Sequence, residues 1–280
     1  MMGDNLQPVA SVIIPWCNRP EIELTLPHTI ERFREQDCEI IIVNCGGDDV
    51  ALASILERLH VVGSNVSTLY VPSTEFNKSL ALNLGAFVSR AEILLTLDAD
   101  IILLSDIIAA ALFLTERCFI TIAQVRETKL ATDFRWPEGM IDGSHLIGVV
   151  STWTTEFLWS DGRSTTVQNW RSSYPNHTRA GPGLVLVRKQ HFLDVQGYDS
   201  RFHAWGFADI DLHVRLQYAL GLEHIQTGAA EHLSHTDAQR NLKGRTRHVS
   251  SQLNFAAACK RYSRCEFEGT YELDTSTWKD

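Results

Sequence analysis

The densest chemistry in this chain lies at Asp98-Ala99-Asp100. Two carboxylates one residue apart follow an apolar run over residues 93–97. If the chain stays extended there, alternation points both to one side. Paired oxygen ligands suit a hard divalent cation such as Mn²⁺ or Mg²⁺, and such an ion can bridge a diphosphate and neutralise a leaving group. A solvated turn would contain the same residues. A second acidic cluster runs through Gly197-Tyr198-Asp199 and Trp205-Gly206-Phe207-Ala208-Asp209-Ile210-Asp211, where a glycine-bearing loop enters a helix. Asp209 is placed to act as a general base on an attacking hydroxyl, or simply to cap the helix. Asp211, two residues on, points away from Asp209 and reads as a loop organiser. The third signal is His232-Leu233-Ser234-His235. Imidazoles after a short apolar strand can complete a metal shell begun by carboxylates, or they are ordinary surface histidines.

The elements that must position these groups alternate. Strand-like runs at residues 11–14, 39–43, 67–71 and 93–97 are separated by helix-like stretches at 21–36, 50–59 and 79–89. Pro15 and Pro72 read as strand terminators. This order predicts an α/β fold with a mostly parallel central sheet and helices on both faces. In such sheets ligands bind beyond the carboxyl ends of the strands, where the Asp98–Asp100 pair falls. Residues 126–180 are rich in Trp, Ser and Thr and show little periodicity, which predicts a functional loop or small subdomain closed by Gly181-Pro182-Gly183. A strand at 184–187, helices at 189–195 and 209–220, and a locally basic helix at 245–264 follow. The reading is an N-terminal extension over 1–8, one domain over 9–242, and a helical tail over 243–280.

Composition removes several classes. A hydrophobic fraction of 44% with 21% charged residues is that of a globular protein. A net charge of −9, from 25 basic and 34 acidic residues, repels phosphate backbones and argues against nucleic acid as a partner. The six cysteines include no C-x-x-C pair, which disfavours a zinc knuckle and suits a reducing compartment. The first ten residues lack the basic and apolar regions of a signal peptide. The apolar stretch 93–114 contains Asp98, Asp100 and Asp106, too many charges for a membrane span. No G-x-G-x-x-G follows the first strand and no G-x-x-x-x-G-K-(S/T) is present, which disfavours a dinucleotide dehydrogenase and a P-loop kinase.

Taken together, the motifs resemble those of GT-A glycosyltransferases of family 2. The similarity is greatest to the β-1,4-galactosyltransferase group and the galactosyltransferase-like half of bacterial chondroitin-type polymerases. Ile14-Pro15-Trp16-Cys17-Asn18-Arg19-Pro20-Glu21 is similar to P-F-R-N-R-x-E, and Phe76-Asn77-Lys78-Ser79-Leu80-Ala81-Leu82-Asn83-Leu84-Gly85 to F-N-R-A-K-L-L-N-V-G. Asp98-Ala99-Asp100 falls at D-V-D, Trp205-Gly206 to Asp211 at W-G-G-E-D-D-D, and His232 to His235 at M-x-x-H. The resemblance implies a Rossmann-like GT-A fold and a UDP-sugar donor. Pro15, Trp16 and Arg19 would line the nucleotide site, while Phe76 and Lys78 would hold uridine and diphosphate. Asp98 would lie near the ribose. Asp100 would bind Mn²⁺ or Mg²⁺ with His235 and His232. Trp205 and Gly206 would shape the sugar pocket. Asp209 would be the base of an inverting transfer of a hexose or N-acetylhexosamine onto a glycan, lipid-linked glycan or other hydroxyl acceptor. A retaining transferase and a non-catalytic UDP-sugar-binding protein remain as alternatives.

Three departures leave the donor sugar open. Cys17 stands for an Arg, Phe207 for the second Gly of W-G-G, where it should crowd the pocket, and Ala208 for a Glu. Trp153, Trp159, Trp170 and Tyr174 either stack on acceptor sugars or pack a subdomain. The implied enzyme is bacterial and cytoplasmic. Its basic tail (Arg245, Arg247, Lys260, Arg261, Arg264) is either a solvated helix or a peripheral contact with the inner membrane face.

Overall fold

Strands β1 (Ser11–Trp16) and β2 (Glu39–Cys45) are buried at every position, which is why they read as unbroken β-branched runs. A computed structural model of the chain describes residues 7–61, 65–111, 116–129, 141, 145–174, 176–202, 204–237, 240 and 242–278. The central sheet adds β3 (Val66–Val71), β4 (Ile93–Thr96), β5 (Ile101–Leu103), β6 (Cys118–Glu127), β9 (Thr178–Arg188) and β10 (Glu223–His232), in the order β3-β2-β1-β4-β9-β6-β10-β5. Pairing is parallel through β3-β2-β1-β4 and between β6 and β10. It is antiparallel at β4-β9, β9-β6 and β10-β5. The predicted mostly parallel α/β sheet is therefore present, with antiparallel strands in its second half. That half is mixed because β9 returns from an inserted hairpin rather than from a crossover helix.

Alternation along β1 and β2 sorts the core. Val12, Ile14, Ile40 and Ile42 face α1 (Ile22–Phe33) and α2 (Asp49–Arg58) through Ile22, Leu26, Leu52 and Ile55. Ile13, Ile41 and Val43 face α3 (Lys78–Val88) and α6 (Ala208–Leu220) through Leu82, Leu84, Leu212 and Leu216. Helix α3 lies so close that a Cβ on Gly85 would stand 2.3 Å from Ile13 Cγ2. Pro15 does not end β1, contrary to the sequence expectation. It stays in register with Val43 of β2, because pairing with β4 has already stopped at Ile13 and its missing N–H removes no bond on that side.

Residues 126–180 are more regular than their composition suggests. Strands β7 (Val149–Leu158) and β8 (Ser164–Tyr174) form an antiparallel hairpin, and β9 continues through Gly181-Pro182-Gly183 with a shift of register against β6. Few of the hairpin's positions are apolar and buried. Phe157 and Val167 are, and they pack on Ile210 and Val214 of α6, so the hydrophobic alternation was too sparse to read. Residues 130–140 and 142–144 of the expected loop lie outside the described residues.

The C-terminal residues fold back onto the body. Helix α7 (Arg247–Tyr262) buries Ser250, Asn254, Ala258 and Tyr262, a four-residue repeat that makes one face. Arg261 bonds Asp199 (2.9 Å) and Asp211 (2.8 Å), Arg247 bonds Asp237 (3.1 Å), and Arg264 lies 3.9 Å from Glu266. Much of the tail's positive charge is thus turned to carboxylates of the protein itself. Beyond it, α8 (Tyr271–Thr275) sets Asp274 against Asn83 and Ser200. Among the described residues no helix is long and apolar enough to cross a membrane.

Asp211 and Arg215 are both fully buried and 2.8 Å apart, and Asp211 also accepts from Arg261 and Tyr262. Removing one partner of such a pair strands the other's charge. Asp211→Ala is expected to lower unfolding free energy by about 3–5 kcal/mol, read from urea titrations of the purified protein.

Candidate metal and catalytic centre

Strand register assembles the first group of side chains. At the end of β10, His232 sits opposite Ile101 of β5 on one side and Glu127 of β6 on the other. Asp100 immediately precedes Ile101, and its carbonyl accepts the Leu233 N–H at 2.8 Å. Three strand ends therefore bring Asp100, His232 and Glu127 into line across the sheet. Ser234 bonds Glu127 through Oγ (2.7 Å) and Thr128 through its N–H (2.9 Å), which draws His235 in beside them. One ligand atom from each of Asp100, His232 and His235 lies within 4.8 Å of the others.

The hydrogen bonds state which ring nitrogens carry protons. His235 Nδ1 faces the Thr236 carbonyl at 3.1 Å, an acceptor only, so Nδ1 is the donor and Nε2 holds a lone pair. That lone pair lies 2.9 Å from Arg19 Nη2 and 3.2 Å from Asp100 Oδ2. His232 Nδ1 donates to Glu127 Oε2 at 2.6 Å, and its Nε2 lies 3.5 Å from Asp100 Oδ2. Burial opposes ionisation of Glu127, but His232 and Arg179 outweigh it and hold the carboxyl at about 2. Burial likewise opposes charge on Asp100, but the bond to His232 and the Arg19 charge hold it well below the usual carboxylate range. Burial lowers His232, yet Asp100 and Glu127 raise its pKa to about 9.

This donor set fits a metal. Two imidazole nitrogens and a carboxylate oxygen converge from separate elements, and the outer nitrogen of His232 is oriented by a carboxylate, as metal-bound histidines commonly are. The nitrogens move preference away from Mg²⁺ toward first-row ions such as Mn²⁺, with positions left for other oxygen ligands.

A second group lies on the far side of Ala99. Lys78, the first residue of α3, places Nζ 2.8 Å from Asp98 Oδ1 and 3.4 Å from Asp209 Oδ1. The Asn77 side chain caps α3 and also donates to the Ser200 carbonyl. Helix α6 is entered through Gly206 (φ 99°) and Phe207 (φ 68°), which delivers Asp209 in its first turn. Helix α7 holds this entry: Ser250 bonds both main-chain atoms of Trp205, and Asn254 donates to the Gly206 carbonyl at 2.8 Å. Gly183 of β9 forms the floor, where a Cβ would stand 2.8 Å from Lys78 Nζ and 2.9 Å from Asp209 Oδ2. Burial raises the Asp209 pKa and Asp98 adds to it, against the opposing charge of Lys78. Burial works against the Lys78 charge, but Asp209 and Asp98 keep it protonated. Asp209 Oδ1 accepts no hydrogen bond. A carboxylate with a raised pKa is suited to accept a proton.

The predicted residues therefore divide. Asp98 and Asp100 do not share a side. They sit in a turn closed by the Ile101 N–H to the Asp98 carbonyl, and the Ala99 carbonyl accepts Thr25 Oγ1 at 2.7 Å. Asp98 faces Lys78, and Asp100 faces Arg19 and the histidines. Pro15 and Trp16 are buried in β1, so neither lines a surface. Trp16 supports the site from below, its Nε1 donating to the Arg19 carbonyl at 2.8 Å. Phe76 is half-buried against the α3 core. Trp205 is 39% exposed beneath the Arg240 guanidinium, 5.6 Å from the ring centroid. Phe207 packs edge-on against Phe255 at 5.2 Å instead of crowding the pocket. Trp159 is a packing residue, 4.1 Å from the Tyr218 ring, whereas Trp153 is 70% exposed and meets Trp170 at 6.0 Å. Tyr174 lies edge-on to His177. Glu127 and Arg240 carry no local sequence signal, and Gly183 reads only as part of a closing turn; cross-strand register or tertiary packing alone brings them in.

Known proteins bear on this arrangement. The family profile described as glycosyl transferase family 2 matches residues 11–192, and one described as the N-terminal domain of galactosyltransferase matches residues 162–237. No curated protein sequence matches the chain. Among solved structures, GalNAc-T7 with UDP, GalNAc and Mn²⁺ is similar with a TM-score of 0.58 at 14% identity, over 92% of this chain and 48% of that one. S. aureus TarS 1–349 in complex with UDP-GlcNAc gives 0.54 at 14% identity, over 85% and 61%. The mannosyltransferase PcManGT from Pyrobaculum calidifontis, in complex with GDP-Man and Mn²⁺, gives 0.50 at 16% identity, over 81% and 57%. At these identities the likeness is one of fold, the GT-A arrangement, and the chain spans about half to three-fifths of the length of these structures.

Glu127→Gln keeps the shape but not the charge that orients His232, and is expected to weaken Mn²⁺ binding roughly 10- to 100-fold by calorimetry. Without metal, the raised His232 pKa makes its ion pairs a source of stability. That stability is complete below pH 6.5 and is lost as pH rises through about 9. Urea midpoints in chelator on either side of this window should fall with rising pH, and less so in His232→Gln.

Proposed function

The chain belongs to glycosyl transferase family 2, and on that premise we propose that it moves a hexose or N-acetylhexosamine from a UDP-sugar to an acceptor hydroxyl with the help of a divalent cation. One observation carries the reading: the Asp100–His232–His235 group and the Lys78–Asp98–Asp209 group are joined by the single residue Ala99. A cation-binding set beside a base of raised pKa is what sugar transfer from a nucleoside diphosphate requires. The UDP, GDP-Man, UDP-GlcNAc and Mn²⁺ held by structures of the same fold support the donor class.

Asp100, His232 and His235 would hold Mn²⁺, which supplies positive charge to the departing diphosphate. Lys78 and Arg19 add fixed positive charge at the same place. Asp209 takes the proton of the acceptor hydroxyl as the hydroxyl oxygen bonds the anomeric carbon and the bond to the diphosphate breaks. A single displacement of this kind inverts the anomeric centre. Asp98 holds Lys78 in place and tunes Asp209. Trp205, 39% exposed in the loop that leads into α6, would offer its ring to a sugar. The acceptor in this reading is a glycan, a lipid-linked glycan or another hydroxyl compound.

A UDP-release assay over a panel of UDP-sugars, with Mn²⁺ and with chelator, tests the proposal. Turnover should need the ion and disappear in Asp100→Ala. Asp209→Asn should bind UDP normally but transfer roughly 10²- to 10⁴-fold more slowly. Wild-type rates in that variant would remove Asp209 as the base, and UDP binding without turnover on any acceptor would favour a non-catalytic binding protein. NMR of the product should show the inverted anomer.

A further inference from the structure

Arg19 stands where a cation belongs. Its Nη2 lies 3.3 Å from Asp100 Oδ2 and 2.9 Å from His235 Nε2, two of the three groups that converge as a ligand set. Since His235 Nδ1 is committed to the Thr236 carbonyl, Nε2 receives the Arg19 proton as a lone-pair acceptor, the same state in which it would bind a metal. We propose that Arg19 is a built-in counter-cation, which competes with the divalent ion for Asp100 and His235 and is released toward the donor's diphosphate when the ion binds. The inference rests on the metal-dependent reading above.

The geometry supports each half of this exchange. Asp100 is 5% exposed, and a buried carboxylate without a nearby positive charge is strongly disfavoured. Arg19 meets that need together with His232 while no ion is bound. A divalent ion on the same oxygen would stand within a few ångströms of the guanidinium, and like charges at that distance repel. The backbone that carries it is anchored, and the guanidinium itself is held by Asp100 and His235, the very groups the ion would take. Trp16 Nε1 donates to the Arg19 carbonyl (2.8 Å), and Asn18, in the left-handed region at φ 52°, accepts the Asp48 N–H (2.8 Å). Arg19 Nη1 is buried without a hydrogen-bond acceptor, with Glu21 no nearer than 3.9 Å, so the guanidinium already carries donors that an incoming phosphate oxygen would satisfy. Arg240, the other guanidinium nearby, is tied to Asp237 at 3.2 Å and to the Trp205 ring, and does not substitute for it. Because coupling between two ligands is reciprocal, metal and nucleotide would strengthen each other through Arg19 in addition to any direct bridge.

The signature is a pair of opposite effects from one substitution. In calorimetry with Mn²⁺ alone, Arg19→Ala and Arg19→Gln should bind the ion roughly tenfold tighter than wild type, the scale of one charge-assisted hydrogen bond removed from the competing state. With Mn²⁺ saturating, the same variants should bind UDP roughly tenfold more weakly. Peptide-mapped phenylglyoxal labelling of wild type needs no variant: Arg19 should react faster on adding Mn²⁺ and slower again on adding UDP. Mn²⁺ binding that is lost in Asp100→Ala but unchanged or weakened in both Arg19 variants, or Arg19 labelling indifferent to Mn²⁺, would overturn the competition and leave the metal reading intact. Absence of Mn²⁺ binding to all of these proteins would overturn both.

Discussion

Everything at the centre of this protein depends on the register of β10 between β5 and β6. A strand end is a poor place to hold a functional group, because its last residues have few neighbours. Here His232 is paired on both sides, with Ile101 in one direction and Glu127 in the other. Slipping either ladder by one residue would turn the imidazole to the opposite face. The antiparallel β5, only three residues long, earns its place by carrying Asp100 to the partner it needs. Glu127 continues the line to Arg179 of β9 at 2.7 Å, so the ligand set is backed by a row of ionic bonds running across four strands.

The other half of the site is held by packing from the C-terminal end. Helix α6 starts at the group that includes Asp209, and its first turns are fixed by Asp211, Arg215, Arg261 and Tyr262 in a buried cluster. Helix α7 supports the Trp205–Gly206 entry through Ser250 and Asn254. A segment that looks in sequence like a basic appendage is therefore structural support for the loop before α6. Its Arg261 is explained by Asp199 and Asp211, the carboxylates it meets inside the protein.

Several features were legible from residues alone. The first four strands and three helices alternate as periodicity predicts, and the histidine pair and Asp100 do meet. What could not be read falls into two kinds. The hairpin β7–β8 alternates Ser and Thr with residues of mixed burial, so no hydrophobic period exists to detect. The separation of Asp98 from Asp100 depends on the chain leaving extended geometry one residue after β4, which composition does not encode. Glu127 illustrates a further limit. It lies 105 positions from His232 in the chain, and only pairing of β6 with β10 makes them neighbours. Trp16 shows the converse, since a motif position can be matched while its side chain faces inward and acts through the Arg19 carbonyl.

The hydrogen bond from Thr25 to the Ala99 carbonyl gives the turn between the two aspartates an owner outside the site. Thr25 belongs to α1, whose buried face packs under β1. The backbone between the two acidic side chains is therefore anchored by α1, an element that contributes no reactive group of its own.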